Sequence, residues 1–205
     1  MAYSDFTLAI ALERLSLSLR QQESLFADVA GAEPSALLLE VLKDNVPTAL
    51  AIHTEKARSE LIVMPVLMEI RKRTQIGLFS GIEFNVDDAQ GLRGVCDFLI
   101  SQTQNSFFIE APVLSVVEAK NDNIKSGLGQ CVAEMVAARL FNERTGKGPK
   151  VVYGLVTTGS IWRFLRLDEG VVVLDSVEYY LDQLPKILGI ILSILQTEPR
   201  QITVE

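Results

Sequence analysis

Two periodicities run through the hydrophobic positions of this chain, and together they predict an α/β protein. Over residues 5–29, Leu8, Ala11, Leu12, Leu15 and Leu19 recur at helical spacing until Gly31 and Pro34 break the pattern, which predicts an amphipathic helix. Ser35 is placed to start a short helix over 35–42, and the stretch 46–52 fits either period. Thr54 is placed to cap a helix running to about residue 73, bent at Pro65 and ending on Arg71, Lys72 and Arg73, where the helix dipole favours cations.

Strand signals then follow at 78–86 and 94–101, with a polar turn at 102–106 and a further strand ending in Glu118-Ala119-Lys120, the pattern of an antiparallel meander. Residues 123–142 keep one apolar stripe through Leu128, Val132, Met135 and Val136, predicting a helix that covers the sheet. After the turn Gly146-Lys147-Gly148-Pro149, strands are expected at 151–157, 160–167 and 171–174. A closing helix over 177–195 is interrupted or bent at Pro185. Neither an internal repeat nor a flexible linker divides the chain, so one compact unit is expected: an N-terminal helical segment, 1–53, packed on a core of residues 54–205.

Two of the expected strands break the rule that core strands carry no charge. Asp97 stands alone among apolar neighbours in Gly94-Val95-Cys96-Asp97-Phe98-Leu99-Ile100, and Glu118 and Lys120 share one strand face while Ala119 takes the other. Buried charge of this kind requires a partner, a metal or a substrate. The spacing between Asp97 and Glu118 lets neighbouring strands bring both carboxylates together beside Lys120. Two adjacent carboxylates repel unless a cation bridges them, and a hard divalent ion such as Mg2+, with Mn2+ as a substitute, prefers oxygen ligands. The Ala119 carbonyl can add a further ligand. A cation held there activates water and neutralises phosphodiester charge while Lys120 orients the attacking water, which is nuclease chemistry. The bland alternatives are an edge-strand ion pair for Glu118 and Lys120, and a strand-end acceptor of backbone N–H groups for Asp97.

The net charge of −7 argues against a broad basic nucleic-acid surface and leaves room for a local site. Two cysteines, Cys96 and Cys131, and one histidine, His53, cannot build a zinc cluster or a disulfide framework; they read as packing or surface residues. The first residues lack a basic leader, and the longest apolar run near the end, 188–192, is too short for a bilayer, so a cytoplasmic protein without membrane contact is expected. Gly146-Lys147-Gly148 lacks the full phosphate-loop pattern and is rejected as one. Trp162 and Phe164 alternate on one strand face and read as core, while Arg163 and Arg166 are placed to touch phosphates without any spacing that requires it.

Asp97 followed by Glu118-Ala119-Lys120, across strands with a helix before and a helix after, resembles the PD-(D/E)XK nuclease superfamily, with Cys96 standing where the motif's proline would be. The resemblance spans about residues 60–167. It implies a restriction-endonuclease-like fold, a mixed β-sheet flanked by helices, here with an extra N-terminal helical segment. It also implies that Asp97 and Glu118 bind the metal and that Lys120 is catalytic. Glu60 matches an acidic residue many members carry on the preceding helix, and Gln130 matches a glutamine many carry on the following one. Bland readings stand beside both: a first-turn acid for Glu60, and for Gln130 a solvated face shared with Glu134. The segment 154–164 is similar to one in relatives of restriction-enzyme nuclease domains. The expectation is a Mg2+-dependent phosphodiesterase acting on nucleic acid, DNA in the first instance, with homodimerisation as one arrangement. The alternative is a nuclease-fold protein that no longer cuts and serves as a nucleic-acid-binding or protein-interaction subunit.

Overall fold

A computed structural model describes residues 1–104, 106–146, 148–149 and 151–196. Lys147 of the expected glycine-rich turn and Asn105 of the expected polar turn lie outside the described residues. The architecture is mixed α/β: an eight-stranded mixed sheet with helices on both faces. In chain order the helices are α1 (Leu8–Arg14), α2 (Ala36–Ile52), α3 (Glu55–Arg58), α4 (Met64–Thr74), α5 (Ile124–Thr145) and α6 (Leu184–Gln196). The strands are β1 (Ser18–Gln22), β2 (Gly77–Glu83), β3 (Val95–Ser101), β4 (Val113–Ala119), β5 (Val152–Thr157), β6 (Ile161–Asp168), β7 (Val171–Asp175) and the short β8 (Tyr179–Tyr180).

Across the sheet the order is β1-β7-β6-β5-β4-β3-β2, with β8 paired to β6. The expected meander forms: β2 pairs antiparallel with β3, and β3 with β4. Helix α5 then carries the chain over one face so that β5 joins β4 in parallel, and β6 and β7 return antiparallel. One apolar layer, built on α1 and α5 with Leu99, Val116 and Val156, fills that face; a second, built on α2, α4 and α6 with Phe98, Val117 and Leu155, fills the other. Neighbouring strand residues divide between the two layers as a strand's period of two requires. Trp162 and Phe164 have no solvent exposure, and the Trp162 Nε1–H donates to the Gly159 carbonyl at 3.0 Å, so both are core residues. Cys96 and Cys131 are buried and unbridged.

Three expectations about the elements are corrected. The helical run over 5–29 stops at Arg14; Ser16 takes φ 52°, and residues 18–22 become β1, paired in parallel with β7 at one edge of the main sheet. The N-terminal segment is therefore part of the sheet and not only helical. The helix capped by Ser35, whose side chain accepts from Leu38 N, continues through Pro47 to Ile52, beyond its expected end at residue 42. The closing helix begins at Leu184, after β8 and a single 3-10 turn, and Pro185 occupies its first turn instead of interrupting or bending it.

Thr54 caps the next helix as expected, its hydroxyl accepting from Ala57 N. Pro65 does not break that helix. Residues Ser59–Val63 widen into π geometry between α3 and α4. Pro65 has no N–H to give to the Leu61 carbonyl four residues back, and the Asn45 side chain on α2 supplies one instead, at 2.9 Å. The wide turn carries Glu60 and Ser59 on the wall of a cleft.

Candidate metal and catalytic site

Strands β3 and β4 part company at their ends. Their last paired residues are Phe98 and Val117, and beyond them the Asp97 side chain reaches across: its Oδ2 accepts the Ala119 N–H at 2.8 Å. The two motif strands are thus joined at the site by a carboxylate where a carbonyl would otherwise stand. Position 97 is partly buried, whereas Glu118 is 1% exposed.

Glu118 and Lys120 lie on the face that receives α5. The approach is close because Gly127 has no side chain: a Cβ there would sit 2.8 Å from Val156 Cγ1, 3.0 Å from Lys120 Cγ and 3.2 Å from Glu118 Cγ. Glu118 Oε1 forms an ion pair with the Lys120 ammonium and has no other hydrogen-bond partner among the described residues, while Oε2 accepts from Gln130 Nε2 at 2.8 Å. Lys120 also stands 3.9 Å from Glu55 Oε2. Gln130 Nε2 donates a second bond, 3.1 Å, to Glu134 Oε1. Glu134 has no solvent exposure and Gln130 is half-buried, so the solvated-face reading fails at Glu134.

In front of this cluster a cleft of about 300 Å³ opens to solvent. Glu55, Lys56, Ser59 and Glu60 form its helical wall, and Gly81, Asp97 and Ala119 form its wall on the sheet. Of the residues expected to act together, Asp97, Ala119 and Glu60 share the cleft, and Glu118, Lys120 and Gln130 form the bonded cluster beside it. Glu60 is exposed and pairs with Lys56 at 3.8 Å. Among the described residues no group of three or more His, Cys, Asp and Glu side chains is arranged to hold a metal ion.

The cluster carries more negative charge than Lys120 answers. Burial, then the nearby Asp97 carboxylate, push Glu118 up to about 8 against the pull of Lys120. Burial raises Asp97 as well, opposed by its bond from Ala119 and by Lys120. Burial and Glu118 hold the Glu134 carboxyl well above the usual carboxylate range. Burial alone would lower Lys120, but Glu118, Glu55 and Asp97 outweigh it and raise it, so its ammonium keeps its charge. Oxygen donors around a cationic deficit are the donor chemistry a hard divalent cation takes, and in that respect Asp97, Glu118 and the Ala119 carbonyl fit one.

Three contributors were not singled out from the sequence. Glu134 sits in the apolar run 131–138 and is flagged by the same rule that found Glu118, a charge where the pattern is otherwise apolar. Arg58, 7% exposed, donates to Asn121 Oδ1 and to the Thr158 carbonyl, each at 3.1 Å, and so fixes the loop after Lys120. No local pattern marks it, nor Glu55. Arg163 pairs with Glu178, and Arg166 with Asp168, at 3.5 and 3.9 Å. His53 is exposed and faces Asp122. Among the described residues no helix is long and apolar enough to cross a membrane. Compared with known proteins, the chain matches no family model, no curated protein and no solved structure.

Proposed function

We propose that this protein is a divalent-cation-dependent phosphodiesterase of the PD-(D/E)XK type acting on nucleic acid, with DNA as the first substrate to test. The observation that carries the reading is the meeting of Asp97 with Glu118 and Lys120 at the diverging ends of β3 and β4, beside an open cleft. The placement of those strands between α4 and α5 supports the finer fold assignment, a restriction-endonuclease-like sheet.

Asp97, Glu118 and the Ala119 carbonyl are the groups that would hold Mg2+ or Mn2+, with Glu60 nearby on the cleft wall. A cation bound there supplies Lewis acidity and a water of lowered pKa. Lys120 keeps its proton, so it serves as a fixed positive charge against the phosphodiester oxygens and not as a base. Gln130 holds Glu118 Oε2 from behind, and Gly127 lets α5 close over Glu118 and keep it buried.

A second reading is a protein of this fold that binds without cutting. It draws on the pairing already made within the cluster, where Lys120 and Gln130 each take one Glu118 oxygen.

Calorimetric titration of Mn2+ into the wild type and into Asp97→Asn tests the metal site, and incubation of plasmid and single-stranded DNA with Mg2+ tests cleavage, with Lys120→Ala as control. Binding that disappears in Asp97→Asn and cutting that disappears in Lys120→Ala are expected. Wild-type protein that binds Mn2+ yet leaves DNA and RNA intact selects the second reading; wild-type protein that does neither overturns the nuclease assignment.

A further inference from the structure

Behind Glu118, α5 holds an acid for which the metal site has no direct use. Glu134 has no solvent exposure, and its Oε2 has no hydrogen-bond partner among the described residues. Its Oε1 accepts from Gln130 Nε2 at 3.1 Å, one helical turn away on the same face. The same nitrogen donates to Glu118 Oε2 at 2.8 Å. An amide nitrogen carries two hydrogens, so these two bonds use its full donor capacity.

That arrangement decides which end of the Gln130 amide faces the site. Turned over, the amide would set its own carbonyl oxygen against Glu118 Oε2 and lose the 2.8 Å bond. With Glu118 alone as partner, the side chain could satisfy one hydrogen from many rotamers; the second acceptor fixes the plane of the amide as well. A buried carboxyl with a single bond is a costly way to fill a helix face that apolar residues would fill more cheaply. Its elevated proton affinity, from burial and from Glu118, keeps it from adding a second charge behind the cluster, and a neutral acid still offers its carbonyl oxygen to Gln130.

We propose that Glu134 is a positioning residue of this site: it anchors the Gln130 amide, and through that amide it sets the orientation of the Glu118 carboxylate. The proposal rests on the reading of Glu118 as a metal-binding group.

Glu134→Gln keeps a carbonyl acceptor and Glu134→Leu removes it at similar volume; both are made in the full chain. The expected result is that E134Q binds Mn2+ within about threefold of the wild type, while E134L binds it about tenfold or more weakly, the range seen when an outer partner of a metal ligand is lost. Because Glu134 acts through Gln130, adding E134L to Gln130→Leu should change Mn2+ affinity no further. Wild-type affinity in E134L, or a fully additive double variant, overturns the proposal. Should E134L not fold, Glu134→Met makes the same deletion of the acceptor. If the wild type binds no Mn2+, the metal reading fails by itself, and the side-chain amide signals of Gln130 in nitrogen-15 NMR decide the positioning role. Shifted, slowly exchanging signals in the wild type and in E134Q that collapse to free-amide values in E134L support it, and signals unchanged in E134L overturn it.

Discussion

Asp97 and Ala119 are joined by a hydrogen bond that belongs to neither strand ladder, carboxylate Oδ2 to backbone N–H at 2.8 Å. It gives Asp97 two separable roles, one in holding β3 to β4 and one in holding a cation. Asp97→Asn keeps an oxygen acceptor for Ala119 and should stay within about 1 kcal/mol of wild-type stability while losing Mn2+ binding. Asp97→Ala orphans the Ala119 N–H and should cost about 1–3 kcal/mol as well. Urea unfolding and calorimetry on the two variants separate the roles; equal destabilisation by both would remove the distinction.

Burial of the Glu118 carboxyl sets a pH dependence of stability. Its folded value near 8 lies above that of an unfolded glutamate, so the folded state holds the extra proton in between, and the associated stability, complete below about 4.5, drains away as pH rises through 8. Thermal melting from pH 5 to 9 should show a fall that Glu118→Gln flattens. An equal slope in both proteins would place the proton elsewhere.

Glu69 predicts the opposite limb. Burial raises its carboxyl, but Arg73 and both the hydroxyl and N–H of Ser35, the cap of α2, outweigh it and hold it below the usual range. The stability this contributes is present above the ordinary carboxylate value and is lost as pH falls through the folded one. Glu69→Gln should cost about 1–3 kcal/mol at neutral pH and leave the acid limb of the unfolding curve shallower.

Close approach at two glycines of α5 separates the site from its scaffold. Gly127→Ala drives a methyl group against Val156, Lys120 and Glu118 and should cost about 1–3 kcal/mol together with weaker Mn2+ binding. At Gly129 a Cβ would stand 2.2 Å from the Phe6 carbonyl oxygen, so Gly129→Ala should lift the segment before α1 off the helix. Hydrogen exchange measures this directly: faster exchange in α1 for Gly129→Ala, with α1 unchanged in Gly127→Ala, is the expected contrast.

Much of this was legible from residue pattern. The strands β3 and β4 and the helix α5 stand close to their expected bounds because their apolar runs carry one period each. Asp97, Glu118 and Lys120 are visible because charge in such a run needs an explanation, and the structure places them where the start of β3 meets the end of β4. The stretch around β1 misled because Leu15 and Leu19 satisfy a helix while Leu15, Leu17 and Leu19 alternate as a strand does; Ser16 in the left-handed region and the waiting edge of β7 chose the strand. Residues 46–52 fit either period in sequence; α2 runs through them, Pro47 included. Glu134 reads as solvated in sequence because helical spacing to Gln130 says nothing about which face meets the sheet; the packing of α5 against β4 and β5 settles that.

Strand β1 has a consequence in time as well as in space. It pairs with β7, Ser18 against Val171, so an early segment cannot form its ladder until residues 171–175 have been made. Contacts of such long sequence separation slow folding, and synthesis from the N-terminus leaves 18–22 unpaired throughout. Its polar composition, Ser-Leu-Arg-Gln-Gln, suits that wait: an exposed edge carrying Arg20 and two amide side chains resists adding to another chain while its own partner does not yet exist.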